Sequence, residues 1–233
     1  MTRKQTELGW EQPTAPPKLG SVEQRLRRDG LWPVVGTDEA GRGPLFGPVV
    51  AAAVVLRDGA RLPGLDDSKA LTEAEREALE PQICAASLAW AVAEGDVERI
   101  GRDNILQASL WAMRQAVEQV LAQLRAQGLP PPKLVLVDGN RTIPGLVAPG
   151  QRAIVKGDAL SRAIAAASVL AKVARDRQIV ALDADYPGYG LAQHKGYPTK
   201  AHLEALARLG PTPMHRRGFA PVDAAWARRG ADG

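Results

Sequence analysis

The sequence predicts an α/β fold, in which buried strands alternate along the chain with amphipathic helices. Short apolar runs of strand length recur between longer segments whose apolar residues follow the period of a helix. The clearest of these segments is 104–127, where apolar residues repeat at helical spacing until Gly128 and Pro130 end the pattern. The chain has 233 residues, of which 45% are hydrophobic, and this size suits one globular domain, alone or with an appendage.

The two ends of the chain are expected to differ from its centre. The first 31 residues are polar and contain three prolines, so we expect a loosely ordered arm at 1–31, with a short helix around 22–28. The folded domain is then expected over 32–222, followed by a short tail at 223–233. The start lacks the apolar core of a signal peptide, and the longest apolar run, 45–56, is too short to span a bilayer. We therefore expect a cytoplasmic protein that does not enter a membrane.

The first predicted strand leads to a pair of carboxylates. Val34 and Val35 indicate the end of a buried strand, and Asp38 and Glu39 follow where that strand is expected to give way to a loop. Successive side chains of a strand point to opposite faces, so both carboxylates reach one site only if the chain bends there. Taken alone, this segment suits either a metal site or an ordinary acidic turn.

Beyond the acidic pair, Gly41 and Gly43 flank Arg42 with backbone that carries no side chain. Such backbone suits close approach to a phosphate or a sugar. The glycine spacing, with Pro44 inside it, fits a dinucleotide-binding fingerprint poorly, and no Gly-Lys-Ser/Thr sequence follows that would indicate a P-loop. The segment therefore does not indicate either kind of nucleotide loop.

The next elements follow from apolar runs and capping signals. Residues 49–56 predict a strand of small apolar residues, and the short link before it suggests that it pairs with the first strand. Thr72 and Glu75 have the spacing of a capping box, which predicts a helix that runs to about Ile83. Residues 88–93 then predict a third strand.

Two further predicted strands each lead to an aspartate. Residues 134–137 predict a short buried strand that ends at Asp138, and 153–155 predict a brief strand before Asp158. A second long helix, rich in alanine in its first half, is predicted over 159–182. Each aspartate has an ordinary alternative, because Asp138 suits a turn and Asp158 suits a helix cap.

Four carboxylates thus lie next to the ends of predicted apolar elements. In α/β folds, ligand-binding and catalytic residues lie at the ends of strands. If these side chains cluster, they repel one another unless a cation lies between them, and hard oxygen ligands select magnesium or manganese. The pattern predicts a divalent-cation site formed by Asp38, Glu39, Asp138 and Asp158.

Basic residues are concentrated towards the C-terminus. The formal charge is only +4 although the sequence pI is about 9.4, and between 186 and 218 there are five cations and a single acid. A solvated basic face and a polyanionic partner such as nucleic acid are both compatible with this pattern. The residues that we expect to contact phosphate are Lys69, Lys195, Lys200, Arg216 and Arg217.

All three histidines, His194, His202 and His215, lie in the same basic stretch. Their spacing is irregular and they have no cysteine partners, so we expect packing or phosphate contacts rather than a structural zinc site. The single cysteine, Cys84, excludes an intramolecular disulfide.

A series of short motifs carries a resemblance to one enzyme family. Residues 36–44, Gly-Thr-Asp-Glu-Ala-Gly-Arg-Gly-Pro, resemble the signature of ribonuclease HII. Further segments resemble that family in the same order: 65–69 (Leu-Asp-Asp-Ser-Lys), 137–140 (Val-Asp-Gly-Asn), 157–158 (Gly-Asp), 164–173 and 194–199 (His-Lys-Gly-Tyr-Pro-Thr). Any one motif is weak, but this many in order, over about 34–222, are specific.

The resemblance implies a ribonuclease H-like fold, with a five-stranded mixed sheet, flanking helices and a basic helical C-terminal portion. It also implies an active site in which four carboxylates hold two Mn²⁺ or Mg²⁺ ions during catalysis. By matching position, these carboxylates are Asp38, Glu39, Asp138 and Asp158.

The resemblance further implies the contacts with substrate. The nucleotide that carries the 2′-hydroxyl is expected at Gly41, Arg42 and Gly43, substrate phosphate at Lys69 and Lys195, and the sugar at an RNA–DNA junction against Tyr197. Two positions depart from the family pattern, because Leu191 stands where an aromatic residue is more usual and Gly218 where serine is common.

The expected activity is that of a metal-dependent endoribonuclease. It hydrolyses the RNA strand of RNA–DNA hybrids and cuts on the 5′ side of single ribonucleotides embedded in duplex DNA. Water is the attacking group, so the products carry 5′-phosphate and 3′-hydroxyl ends. We expect a monomer whose partners are hybrids and ribonucleotide-containing DNA. Two alternatives remain: a module that binds hybrids without cutting them, and a magnesium-dependent phosphohydrolase acting on small phosphoesters.

Overall fold

The computed structural model of the chain describes residues 18–66 and 68–231. Its helices and strands follow one another in this order: α1 (Ser21–Arg28), β1 (Val34–Ala40), β2 (Val49–Leu56), α2 (Glu73–Ala86), β3 (Ser87–Gly95), α3 (Val97–Asp103), α4 (Ile105–Ala126), β4 (Leu134–Asp138), β5 (Gly150–Ile154), α5 (Arg162–Asp185), α6 (Leu191–His194), α7 (Lys200–Leu209) and α8 (Ala220–Ala231). A short 3₁₀ turn, Gly157–Ala159, lies between β5 and α5.

The five strands form one mixed sheet in the order β3-β2-β1-β4-β5. β2 is antiparallel to β1 and to β3, whereas β4 is parallel to β1 and β5 is parallel to β4. The five-stranded mixed sheet and the pairing of the first two strands are therefore confirmed. The last strand begins three residues earlier than the predicted segment 153–155.

The first strand differs from its prediction. Val34 begins β1 rather than ending a strand, so Asp38 and Glu39 lie inside the strand and not in the loop after it. The glycine that suggested a turn has a packing role instead. A Cβ atom on Gly36 would lie 2.2 Å from the backbone of Ala163, so only glycine lets α5 approach β1 this closely.

Apolar side chains cover both faces of the sheet. On one face α4 packs with Met113, Val117 and Val120 against Val35 and its neighbours, which confirms that its periodic apolar stripe is core. On the other face, the alanine-rich first half of α5 lies against β1 and β2 and also contacts α2. The small side chains of α5 allow this close approach.

Side chains that accept backbone N–H groups set the starts of the helices. The predicted capping box between Thr72 and Glu75 is present at the start of α2, and Asn104 caps α4. Ser161 caps α5 by accepting the N–H of Ile164. Asp158 is therefore not the cap of the long helix, because it lies in the separate 3₁₀ turn.

The described part of the predicted N-terminal arm is folded onto the domain. Val22 and Leu26 are four residues apart, so they share one face of α1, and both are buried against the sheet and α5. Glu23 Oε1 accepts hydrogen bonds from the Ser161 hydroxyl (2.6 Å) and from the Ala163 N–H (3.0 Å). Residues 1–17 of the predicted arm lie outside the described residues.

The predicted C-terminal tail also begins as part of the fold. α8 runs through residue 223 without interruption, and Val222 and Ala225 are buried against Leu45 and Leu206. Residues 232–233 lie outside the described residues. None of the helices in 18–66 and 68–231 has the length and the apolar character that crossing a membrane requires.

Candidate active site

Parallel pairing of the two central strands brings acidic residues to one edge of the sheet. Thr37 is in register with Val137, so Asp38 and Asp138 follow at the same level of β1 and β4. Asp38 is only 4% exposed, and its Oδ1 accepts the N–H of Glu39 at 2.7 Å. The charge of Asp138 acts on both Asp38 and Glu39, so the structure brings all three together.

The fourth carboxylate reaches this edge through the turn after β5. The N–H of Gly157 donates to Asp138 Oδ1 at 2.7 Å, which fixes the 3₁₀ turn against the end of β4. Lys156, just before it, has a left-handed backbone with φ of 56°. Asp158 is consequently buried beside Asp138, and the two carboxylates repel.

Burial and mutual repulsion change the acidity of this group. Burial raises the pKa of Asp38 well above its ordinary value, and the charges of Glu39 and Asp138 raise it further. Burial also raises the pKa of Glu39, although the nearby Arg42 opposes this change. The pKa of Asp138 is raised by burial and then by the charge of Asp158. The chain alone therefore does not neutralise the negative charge that it gathers here.

Two cations stand at the rim of the acidic group. Lys69 Nζ lies 3.4 Å from Asp158 Oδ2, and its charge lowers the pKa of Glu39 and of Asp138. Its side chain is 80% exposed, so this ammonium group is also accessible to a ligand. Arg42 Nη1 lies 3.2 Å from Glu39 Oε1 and is half exposed. Both cations therefore lie close enough to a carboxylate of this group to pair with it.

The donor set fits a hard divalent cation, but it does not form a closed cage. Within 18–66 and 68–231, no three His, Cys, Asp or Glu side chains are gathered closely enough to hold an ion by themselves. The carboxylates instead act on one another pairwise, Asp38 with Glu39 and Asp138, and Asp138 with Asp158. Mg²⁺ typically binds through one or two carboxylates and completes its shell with water and substrate phosphate. An open, oxygen-only arrangement of this kind suits that mode of binding.

The glycine loop after β1 lies beside the acidic group and next to an aromatic ring. Gly41 has a φ of 95°, and a Cβ atom there would lie 2.0 Å from Arg175 Nε, so no side chain fits. A Cβ atom on Gly43 would lie 3.5 Å from the ring of Tyr197, which is 40% exposed. Bare backbone and a half-exposed ring therefore border the same surface.

Comparison with known proteins identifies the family. The family model of ribonuclease HII matches residues 35–222. The chain belongs to the ribonuclease HII family. A ribonuclease HII of Rhodopseudomonas palustris (strain BisA53) is 56% identical over 215 residues, which cover 91% of this chain and 72% of that protein. A member of this family is a hydrolase, a nuclease with ribonuclease H activity on RNA–DNA hybrids.

Solved structures support the same assignment. The crystal structure of ribonuclease H2 from Pyrococcus horikoshii OT3 superposes with a TM-score of 0.65 at 28% identity, covering 84% of this chain and 97% of that one. The ribonuclease HII in a PCNA complex from Archaeoglobus fulgidus gives a TM-score of 0.64 at 26% identity, covering 83% of this chain and 96% of that one. The predicted ribonuclease H-like fold is thus confirmed.

Two buried arginines donate hydrogen bonds to the loop that follows the ribonuclease HII signature. The sequence patterns did not predict a structural role for either of them. Arg216 is fully buried and donates to the carbonyl oxygens of Gly47 (2.6 Å), Pro44 (2.7 Å), Pro48 (2.8 Å) and Arg42 (3.4 Å). Arg175, equally buried, donates to those of Phe46 (3.1 Å), Lys195 (3.1 Å) and Pro48 (3.2 Å). Burial lowers the pKa of Arg175 to about 10 and that of Arg216 to about 9, so both remain charged at neutral pH.

These contacts correct one expectation about phosphate binding. Arg216 was expected to contact phosphate, but its guanidinium group is directed at backbone carbonyls and has no access to solvent. Lys195 is also partly engaged, since its Nζ donates to the Ala192 carbonyl (2.6 Å) and lies 3.4 Å from Glu73 Oε1. Lys200, with 90% of its side chain exposed, is far more accessible.

Two buried histidines, His202 and His215, form a hydrogen-bonded chain beneath the loop that carries Tyr197, and the partly buried His194 packs against it. The Tyr197 carbonyl accepts a hydrogen bond from His202 Nδ1 at 2.9 Å, which leaves His202 Nε2 to accept from His215 Nε2 at 3.3 Å. His215 Nδ1 then accepts the N–H of Thr212. The ring of His194 stacks on His202 with centroids 4.5 Å apart.

Burial explains why these imidazoles stay neutral. Burial, and then the neighbouring His202, lowers the pKa of His215 to about 4, and burial likewise lowers the pKa of His202. Every hydrogen-bonding nitrogen of these two rings has a protein partner. Of the two roles expected for the histidines, packing agrees with this arrangement, and we find no zinc-type cluster within the described residues.

Proposed function

We propose that this chain cleaves the RNA strand of RNA–DNA hybrids, and also the 5′ side of single ribonucleotides in duplex DNA, with two Mn²⁺ or Mg²⁺ ions. The observation that carries this proposal is the group of four carboxylates at the ends of β1 and β4 and in the turn after β5. The raised pKa values of Asp38, Glu39 and Asp138 indicate charge that the protein leaves uncompensated. We propose that Asp38, Glu39, Asp138 and Asp158 hold the ions.

Ions held there would activate a water for attack and would offset the charge that develops on the scissile phosphate. The protein's own part is to hold the carboxylates in place. Asp138 is fixed by the N–H of Gly157, and Asp38 is fixed by the N–H of Glu39 and the hydroxyl of Ser168. Because water attacks, the products carry 5′-phosphate and 3′-hydroxyl ends.

Substrate choice is proposed to arise at the glycine loop. A 2′-hydroxyl distinguishes RNA from DNA at a given nucleotide, and backbone groups at Gly41 and Gly43 can approach it because neither residue has a side chain. Arg42 borders the same position. Tyr197, whose ring lies next to Gly43, is proposed to pack on the following sugar, which fits best when that sugar is a deoxyribose.

Phosphate contacts are proposed for the cations at the rim. Lys69 is accessible and adjacent to Asp158, so a scissile phosphate bound near the carboxylates would meet its ammonium group. Lys195 would have to exchange its contact with Glu73 for one with phosphate. All of these groups come from one chain, and we therefore propose that a monomer is the active form.

The experiment compares two substrates under single-turnover conditions with Mn²⁺: a DNA duplex with one embedded ribonucleotide, and an all-RNA strand on DNA. We expect the wild type to cut both, and Tyr197→Ala to slow the single-ribonucleotide substrate by roughly tenfold more than the hybrid, because the aromatic contact is worth on the order of 1–3 kcal/mol. Trp90→Ala, which removes an equally exposed aromatic ring from β3, serves as a control for loss of an aromatic ring away from the glycine loop. Equal slowing of both substrates, or cleavage of the all-RNA strand alone, would contradict the proposal that Tyr197 recognises an RNA–DNA junction.

A further inference from the structure

A second concave site lies at the other end of the sheet from the carboxylates. An open cavity of about 530 Å³ is bordered by α1 and the residues before it, by Trp32, by the loop after β2 and by the start of α5. Trp32 is six residues before Asp38, which is about 20 Å along an extended strand. The match to the ribonuclease HII model begins at residue 35, so much of this cavity is built from residues that precede it.

The cavity is lined by several basic side chains that have no acidic partner among the described residues. Four of its lining side chains have no hydrogen bond or ion pair with any part of the chain that the structure describes: Lys18, Arg57, Arg61 and Arg162. Arg76, Arg114 and Arg177, by contrast, pair with nearby carboxylates. What sets the four cations apart is that they border one cavity.

The acidic residues near the cavity do not cancel this charge. Glu23, in the lining, accepts through Oε1 from the Ser161 hydroxyl and the Ala163 N–H, which anchor α1 to the start of α5, while its Oε2 is buried without a hydrogen bond from the described residues. This single negative charge is outnumbered by the four unpaired cations. Asp58 pairs with Arg27, a fifth cation of the lining, and the guanidinium group of Arg27 also stacks on the ring of Trp32 at 3.6 Å. The walls are therefore held by contacts of their own, and the excess positive charge is directed at the cavity.

Three of the four unpaired cations are arginines, and guanidinium groups bind phosphate oxygens with paired hydrogen bonds. The volume lies within the range of sites that hold small ligands. We propose that this cavity is a phosphate-binding site, separate from the acidic site, which takes either a small polyphosphate-bearing molecule or the backbone of a nucleic acid.

The experiment measures binding of two probes to the full chain in EDTA by calorimetry: tripolyphosphate, and a single-stranded DNA dodecamer. The test variant is Arg61→Ala/Arg162→Ala. The control is Arg125→Ala/Lys133→Ala, which removes the same charge from exposed positions outside the cavity. Arg61→Lys/Arg162→Lys keeps the charge but loses the paired hydrogen bonds. Hybrid cleavage at the wild-type rate shows that each variant is folded.

We expect the Arg61→Ala/Arg162→Ala variant to bind a probe at least tenfold more weakly than the wild type, the lysine variant to be intermediate, and the control to stay within about twofold. A selective loss with tripolyphosphate identifies a small anion as the ligand, and a selective loss with the dodecamer alone identifies nucleic-acid backbone. Equal affinity in all proteins, or an equal loss in the test and control variants, would overturn the proposal.

Discussion

The molecule buries charged side chains in two neighbouring regions, and the hydrogen bonding of those side chains differs between the two. At the ends of β1 and β4, carboxylates lie close together, and burial and then their mutual repulsion raise the pKa values of Asp38 and Asp138. Behind the glycine loop, Arg175 and Arg216 are buried just as deeply, but their donors are directed at backbone carbonyls. Burial of charge is therefore common to both regions, and what separates them is whether the surrounding protein satisfies that charge.

This difference distinguishes structure from function. A buried charge that is fully hydrogen-bonded is held in one geometry, and removing it leaves its partners unsatisfied. A buried charge that is left uncompensated costs stability, and such sites persist where a ligand or ion supplies the missing interaction. We accordingly expect the arginines and histidines to be required for stability, and the carboxylates to be required for activity at some cost to stability.

The largest expected effect is on catalysis. Asp138→Asn removes one charge from the acidic group while keeping its size and its contact with Gly157. We expect hybrid cleavage with Mg²⁺ to fall by at least 10³-fold, because cation affinity and transition-state stabilisation are both reduced. Hybrid binding in EDTA should stay within a few-fold of the wild type. Cleavage at a near wild-type rate would show that Asp138 does not belong to the catalytic group.

The next effect is on stability. Arg216→Met removes a donor from four carbonyl groups of the loop, and of these the Pro48 carbonyl keeps its hydrogen bond from Arg175. We expect the free energy of unfolding to fall by about 3–5 kcal/mol in urea denaturation. Arg217→Met is the matched control, since the neighbouring Arg217 is exposed and contacts only the ring of Trp226 in the described interactions, and it should change stability by less than about 1 kcal/mol. Similar losses in both variants would contradict the structural role of Arg216.

A smaller effect comes from the histidine chain. The pKa of His215 is about 4 in the folded protein and 6.5 in an unfolded chain, so the unfolded state binds more protons between these values. The stabilisation is complete above pH 6.5 and is lost as the pH falls towards 4. We expect a loss of about 1–2 kcal/mol in unfolding free energy between pH 7 and pH 5. This loss should be smaller in His215→Gln, and equal pH dependence in the two proteins would contradict the account.

The sequence predicted most of the sheet and the acidic group, because both leave local signals. Apolar runs identify strands, and carboxylates that follow them in an α/β fold converge at one edge. The end of β1 was placed too early because Gly36 looks like a turn residue, whereas it serves the contact with Ala163, which is distant in sequence. Packing between segments that are distant in sequence cannot be recognised from the residues of either segment alone.

The roles of the buried cations were predicted less well for a related reason. Arg216 and Arg217 are adjacent and chemically identical, yet one is fully buried and the other is exposed. Which of the two enters the fold depends on carbonyl groups near residue 46, and sequence patterns do not locate those groups. The packing of α1 was missed similarly, although the four-residue spacing of Val22 and Leu26 was an available signal.

The most direct test of the difference between the two regions is the thermal stability of wild type and Asp38→Asn, measured in EDTA and with added Mn²⁺. The pKa of Asp38 is raised by folding, so its ionised form destabilises the fold as the pH rises past that value. At pH 7.5 in EDTA, we expect Asp38→Asn to melt at a higher temperature than the wild type, and Mn²⁺ to raise the melting temperature of the wild type more than that of the variant. A variant that melts below the wild type in EDTA, with an equal response to Mn²⁺, would contradict the claim that this charge is left unsatisfied for a cation.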